Sequence, residues 1–101
     1  MIDELCSAIR NKHSAVLRYK NDRGDRIVEP HIVYEARNGN ILVDVYQTTG
    51  YSSTGKLPAW RPLSVDGIVA LDILPDNFEI RTSEGYNPLN KKRYPRIICK
   101  V

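Results

Sequence analysis

No stretch of this 101-residue chain approaches the ~20 consecutive apolar residues that a membrane-crossing helix needs, so no membrane partner is expected. The N-terminus, Met1-Ile2-Asp3-Glu4-Leu5-Cys6, lacks the basic start and apolar middle of a secretion signal, which makes the cytoplasm the expected compartment. Cysteine is scarce, with only Cys6 and Cys99 near opposite ends. Folding can bring two such residues together. Without a secretion signal, however, two reduced and buried thiols are the expectation. There is no CxxC pair, and His13 and His31 are not spaced to join the cysteines, so neither a metal site nor a cofactor is expected. Internal repeats and low-complexity segments are absent as well.

What is present suits one small folded domain. Hydrophobic residues make up 42% and charged residues 27%, which excludes general disorder. A chain of this length buries roughly 60–70% of the surface its unfolded form exposes, enough for one core. The net charge of +3 conceals an asymmetry. Residues 85–101 hold Lys91, Lys92, Arg93, Arg96 and Lys100 and no acid, whereas the first 84 residues carry ten basic and twelve acidic groups. Such a tail is either a solvated, solubilising end or a contact for an anionic partner.

The opening segment, residues 2–12, places Ile2, Leu5, Cys6 and Ile9 at helical spacing, with Asp3 and Glu4 early and Arg10 and Lys12 late, a charge order that suits the helix dipole. Strands are predicted over 15–20, 26–36, 41–47, 60–65 and 68–74, with a terminal one over 96–101. The Asn21-Asp22-Arg23-Gly24-Asp25 stretch and Asn38-Gly39 are turn chemistry, and Asp66-Gly67 reads as a further tight turn. Pro30 cannot donate a ladder hydrogen bond, so an edge, a bulge or a bend is required there. Residues 48–59 read as a long polar loop, either mobile or functional. The predicted class is mostly β: a short N-terminal helix, then a five-stranded, strongly bent sheet or barrel with an extra C-terminal strand. Residues 1–78 form the domain, and the basic extension 79–101 packs on it.

Catalytic constellations are weak. Gly50-Tyr51-Ser52-Ser53-Thr54-Gly55-Lys56 has the spacing of a phosphate-binding loop, yet Leu57 and Pro58 follow where a hydroxyl and a helix are needed. No GxSxG elbow exists. Asp44, Asp66 and Asp72 read as turn and solvent-face residues, and a strand histidine such as His31 is more often structural than catalytic. The aromatic and basic residues suggest binding instead. Trp60 at a loop-to-strand junction and Tyr46, Tyr51 and Tyr86 in or beside loops offer faces that stack on bases while arginines neutralise phosphates; the alternative is that Trp60 and Tyr46 fill the core.

The order of these elements resembles a WYL domain. The likeness rests on Leu17-Arg18-Tyr19, Glu29-Pro30-His31, the Asn38-Gly39 turn and Trp60-Arg61-Pro62-Leu63-Ser64-Val65-Asp66-Gly67-Ile68, and covers residues 2–78. Small stand-alone relatives share Tyr46-Gln47, Gly50, Ser53, Gly55, Phe78 and Gly85-Tyr86-Asn87 with this chain. The resemblance implies an Sm-like or SH3-like five-stranded barrel of the kind found in bacterial regulators that sense ligands or nucleic acid. The chain departs from the family at Asn40-Ile41-Leu42, in place of Trp-Tyr-Leu, and at Ser64 and Gly67, in place of two pocket arginines. No helix-turn-helix precedes the domain. The expected role is a non-catalytic module for a nucleotide-type anion or single-stranded nucleic acid. Arg61, His31 and Arg26 would supply charge and hydrogen bonds, Trp60 and Tyr46 stacking, Ser53 and its loop closure, and Lys91, Lys92, Arg93 and Arg96 further contacts. The alternative is a protein-interaction or self-assembly module that pairs through sheet edges to form a homo-oligomer.

Overall fold

The computed structural model describes residues 1–101. Helix α1 (Ile2–Asn11) buries Leu5, Cys6, Ala8 and Ile9, and Lys12 ends it in the left-handed conformation at φ 55°. Six antiparallel strands follow: β1 (His13–Tyr19), β2 (Arg26–Glu35), β3 (Ile41–Gly50), β4 (Ala59–Ser64), β5 (Ile68–Asn77) and β6 (Arg96–Lys100). The path runs β4-β3-β2-β1-β5, with β6 added to β2.

Strand β2 organises the sheet. One of its edges pairs with β3 from Arg26 to Glu35. The other edge is shared, β1 taking Arg26–Val28 and β6 taking Ile32–Glu35. Pro30 falls in the gap between those two partners and beside a register shift against β3. A residue without an N–H is tolerated there, as the sequence required.

Strands β4 and β5 lie at opposite ends of the path, yet only the short 3₁₀ turn Val65–Gly67 joins them. The sheet therefore bends strongly, but no ladder joins β4 to β5 and it does not close into a barrel. The Tyr19 ring packs beneath this turn and its hydroxyl accepts the Ser64 N–H at 3.2 Å. A Cβ at position 67 would lie 2.5 Å from that ring, which explains the glycine.

The bent sheet separates two apolar layers. Its concave face packs Leu17, Val28, Val33, Val43, Val45 and Leu63 against α1. Burying each of Leu5, Ile9 and Leu17 contributes roughly 2 kcal/mol. The opposite face carries Ile32 and Tyr34, covered by Tyr86 and Tyr94 of the C-terminal segment. That segment is thus docked on the domain through an aromatic layer and through β6. Cys6 and Cys99 are not free thiols. They form a disulfide, with Cα atoms 5.8 Å apart, that ties α1 to β6. The expectation of reduced cysteines fails because helix and terminal strand meet across the core, a juxtaposition that 93 residues of separation conceal.

Candidate functional site

Beneath the C-terminal segment the outer sheet face is polar and aromatic. His31 is fully buried beside the β2 irregularity, with the Trp60, Phe78 and Tyr86 rings each centred 4.9 Å away. Its Nε2 accepts the Arg81 backbone N–H at 3.1 Å. The ring proton therefore sits on Nδ1, which donates to the Glu29 carbonyl at 2.8 Å. Both nitrogens are consumed within the protein. Burial holds this imidazole below its ordinary pKa, against the opposing pull of the Glu29 carbonyl and carboxylate. A group depressed on folding stabilises the fold fully above its unfolded pKa of about 6.5 and loses that contribution as pH falls below it. Stability is accordingly expected to decline as the pH is lowered from about 6.5 through the acid range in which His31 becomes charged. Denaturant melts of the wild-type chain and of His31→Gln would check this; the variant should be flatter across that window, and an equal slope would assign the loss to other groups.

Around His31 the remaining polar groups pair off. Glu29 takes Arg81 in two parallel bonds, at 2.8 and 3.0 Å, and the guanidinium lies 4.8 Å from the Tyr46 ring centre. Tyr46 itself is buried against Trp60, with ring centres 5.2 Å apart. Trp60 donates its indole N–H to the Glu84 carbonyl at 2.8 Å.

Asp44 is the second centre and corrects its reading as a solvent-face residue, for it is only 2% exposed. Its Oδ1 accepts the Tyr34 hydroxyl at 2.9 Å. Its Oδ2 accepts the Tyr94 hydroxyl at 2.7 Å and the Arg93 Nε and Nη2 at 3.1 and 2.9 Å. Burial and the adjacent carboxylate push the Tyr94 phenol up to about 12 and raise that of Tyr34, so both remain donors near neutrality. Next to this group a cavity of about 150 Å³ opens between Trp60, Tyr86, Asn87 and Tyr94.

The other residues singled out in the sequence lie on the far rim. Arg26 donates to both oxygens of Asp22, at 2.7 and 3.0 Å, and to Gln47 at 3.2 Å, between the rings of Tyr19 and Tyr51. Its charge closes the first hairpin and is not presented outward. Strand β3 runs on to Gly50, leaving a loop of residues 51–58 and no helix after it. Gly50 adopts φ 101°, and a side chain there would collide with the Asp25 carbonyl. Arg61 staples the loop, donating to Ser52 Oγ, Thr54 Oγ1 and the Lys56 carbonyl at 3.1–3.3 Å, while Ser53 is exposed at its tip. The structure therefore brings Trp60, His31 and Tyr46 together, but with Arg61 and Arg26 at another edge.

Unpaired charge collects elsewhere. Arg37, Lys91, Lys92, Arg96 and Lys100 enter no ion pair, whereas Arg93 is committed to Asp44. The β2–β3 turn carries Arg37 to the docked C-terminal segment. There it shares with Lys92 and Arg93 a groove of about 370 Å³ that contains no carboxylate. A neighbouring hollow of about 250 Å³ is lined by Arg37 and Arg96 beside Glu35. The Asn38-Gly39 signal marked this turn, but only the fold reveals that Arg37 joins the tail cations.

Comparison with protein-family models, with curated proteins and with solved structures finds no match to this chain. No helix is long and apolar enough to cross a membrane.

Proposed function

We propose that this chain is a non-catalytic binding module for a phosphate-bearing anion, single-stranded nucleic acid foremost. The groove that brings Arg37 and Lys92 together beside the Asp44-paired Arg93, with no carboxylate in its lining, carries the reading, because unpaired cations brought together by folding hold phosphate oxygens; Arg96 lies in the adjoining hollow beside Glu35. Arg93 also borders the cavity containing Trp60, so a strand held in the groove has an aromatic face beside it. A WYL-like identity and an Sm-like descent of the bent sheet belong to the same proposal and rest on the residues that carry the resemblance. A cytoplasmic setting belongs to it too, although the Cys6–Cys99 bond favours an oxidising one. Assembly through sheet edges is the second reading, supported by Val69 and Ile73, which are exposed on β5.

Trp60, the only tryptophan, serves as a reporter alongside anisotropy of a labelled oligothymidylate. Binding is expected at about 50 mM salt and should weaken steeply towards about 200 mM. The triple variant Arg37→Ala/Lys92→Ala/Arg96→Ala should lower the salt slope by about two, at ~0.7 per phosphate contact on a single strand. No binding at the lower salt, or a triple variant that binds as tightly as wild type, would sink the proposal. Sedimentation in the same buffer separates it from edge-to-edge assembly.

A further inference from the structure

We propose that β6 receives an extended acidic segment of a partner protein as an added strand. This does not depend on the anion groove. Strand β6 pairs with β2 on one side only, and no other backbone hydrogen bond involves Arg96–Lys100. Cys99 reaches α1 through its side chain, which stands off the sheet face, so the disulfide itself takes up none of the main-chain groups of that edge. Arg96, Ile97, Ile98 and Lys100 are all exposed, Ile97 by 40% and Ile98 by 42%.

A groove of about 300 Å³ adjoins β6, lined by Pro88, Leu89, Tyr94, Pro95 and Ile97 together with Lys91 and Lys100. Leu89 is 81% exposed, an unusual state for a leucine at a groove wall. Unpaired main-chain groups, an aliphatic trough and unpaired cations are the three elements of strand addition: the backbone supplies affinity, and alternate side chains supply specificity. The charge selects the occupant. Arg96 and Lys100 sit at the two ends of β6 and Lys91 borders the trough; Glu35 faces Arg96 across the β2–β6 ladder, but no carboxylate lines the trough that holds Lys91 and Lys100. Acidic residues flanking an aliphatic one complement that arrangement. A second copy does not, because the full-length antiparallel register would set Arg96 opposite Lys100 twice, and like charges directly opposed destabilise a ladder. A nucleic-acid strand offers no peptide groups for the ladder and no aliphatic side chain for the trough.

The test uses the full oxidised chain and a fluorescein-labelled peptide of about eight alternating glutamate and valine residues, a length that spans one edge strand. Anisotropy should report saturable binding, with new hydrogen-exchange protection at Ile97–Lys100. Methylating alternate peptide nitrogens, or Lys91→Glu/Lys100→Glu on the protein surface, should each weaken binding about ten-fold or more. Equal binding of the methylated peptide, equal binding of a lysine–valine counterpart, or protection confined to other strands would overturn the proposal. So would a sedimenting dimer that protects Ile97–Lys100 without peptide, or oligothymidylate that protects those amides when the peptide does not.

Discussion

Replacing Cys6 or Cys99 with serine is expected to lower the unfolding free energy by about 4 kcal/mol, among the largest single-site losses in the chain. The disulfide joins residues 93 apart, so nearly the whole polypeptide lies within the loop it closes. Loop-closure entropy withheld from the unfolded ensemble grows with the logarithm of loop length, and a loop of ~100 residues sits near the top of the usual range. At this chain length the loss corresponds to a fall in melting temperature of roughly 20 °C. The bond also fastens β6, which is held otherwise by a single ladder to β2 and by Val101. Cys6→Ser, Cys99→Ser, the double variant and the reduced wild type should therefore melt together, since each removes the same cross-link. Urea melts with and without dithiothreitol measure it. A loss under about 1 kcal/mol, or single variants that differ widely from the double, would show that the bond does not act in this way.

How the disulfide escaped the sequence shows what a sequence can and cannot display. Features encoded by neighbouring residues were legible. The helix was evident from Leu5, Cys6 and Ile9 at helical spacing, and all six strands from β-favouring runs between turn residues; Pro30 marked one of the irregularities in β2 pairing. Boundaries slipped where polarity misleads. Strand β3 continues through Thr48, Thr49 and Gly50 because pairing with β2 does not need apolar side chains, so the predicted loop of 48–59 shrinks to 51–58. Features encoded by distant residues were not legible. Asp44 looks the same in sequence whether solvated or buried, and its burial depends on Tyr34, Arg93 and Tyr94 arriving from elsewhere in the chain. Glu29 stands out in the sequence only as part of a motif and His31 as a candidate ligand residue, whereas nothing local points to their shared partner Arg81, 52 and 50 residues away. Arg37 was likewise invisible as a site residue until its turn met Lys92. Candidate cations could be named from composition, but deciding which of them are free required knowing every carboxylate's partner.

The same dependence on distant partners makes Asp44 the second site of large expected effect. Asp44→Ala should cost about 3 kcal/mol, because it strands two buried phenol donors and removes the anchor of Arg93. The Arg93 side chain is 47% exposed, so its charge stays solvated and contributes less than a fully buried partner would. Most of the penalty falls on the Tyr34 and Tyr94 hydroxyls, at roughly 1–3 kcal/mol for each buried donor left unmet. Asp44→Asn keeps one acceptor oxygen and should lose about half as much. Tyr34→Phe alone removes one bond without leaving Asp44 bare, since Tyr94 and Arg93 remain, and should cost about 1 kcal/mol. Tyr34→Phe in the Asp44→Ala background should then cost little or even restore stability, because it removes a stranded donor. Urea melts of this cycle give the coupling directly, and strict additivity would mean that the hydroxyl finds another partner. Hydrogen exchange locates the damage. Protection should fall over Tyr86–Tyr94, which docks on Asp44, while the concave core around Leu17 and Val43 stays protected, because the two layers share the sheet but not their side chains.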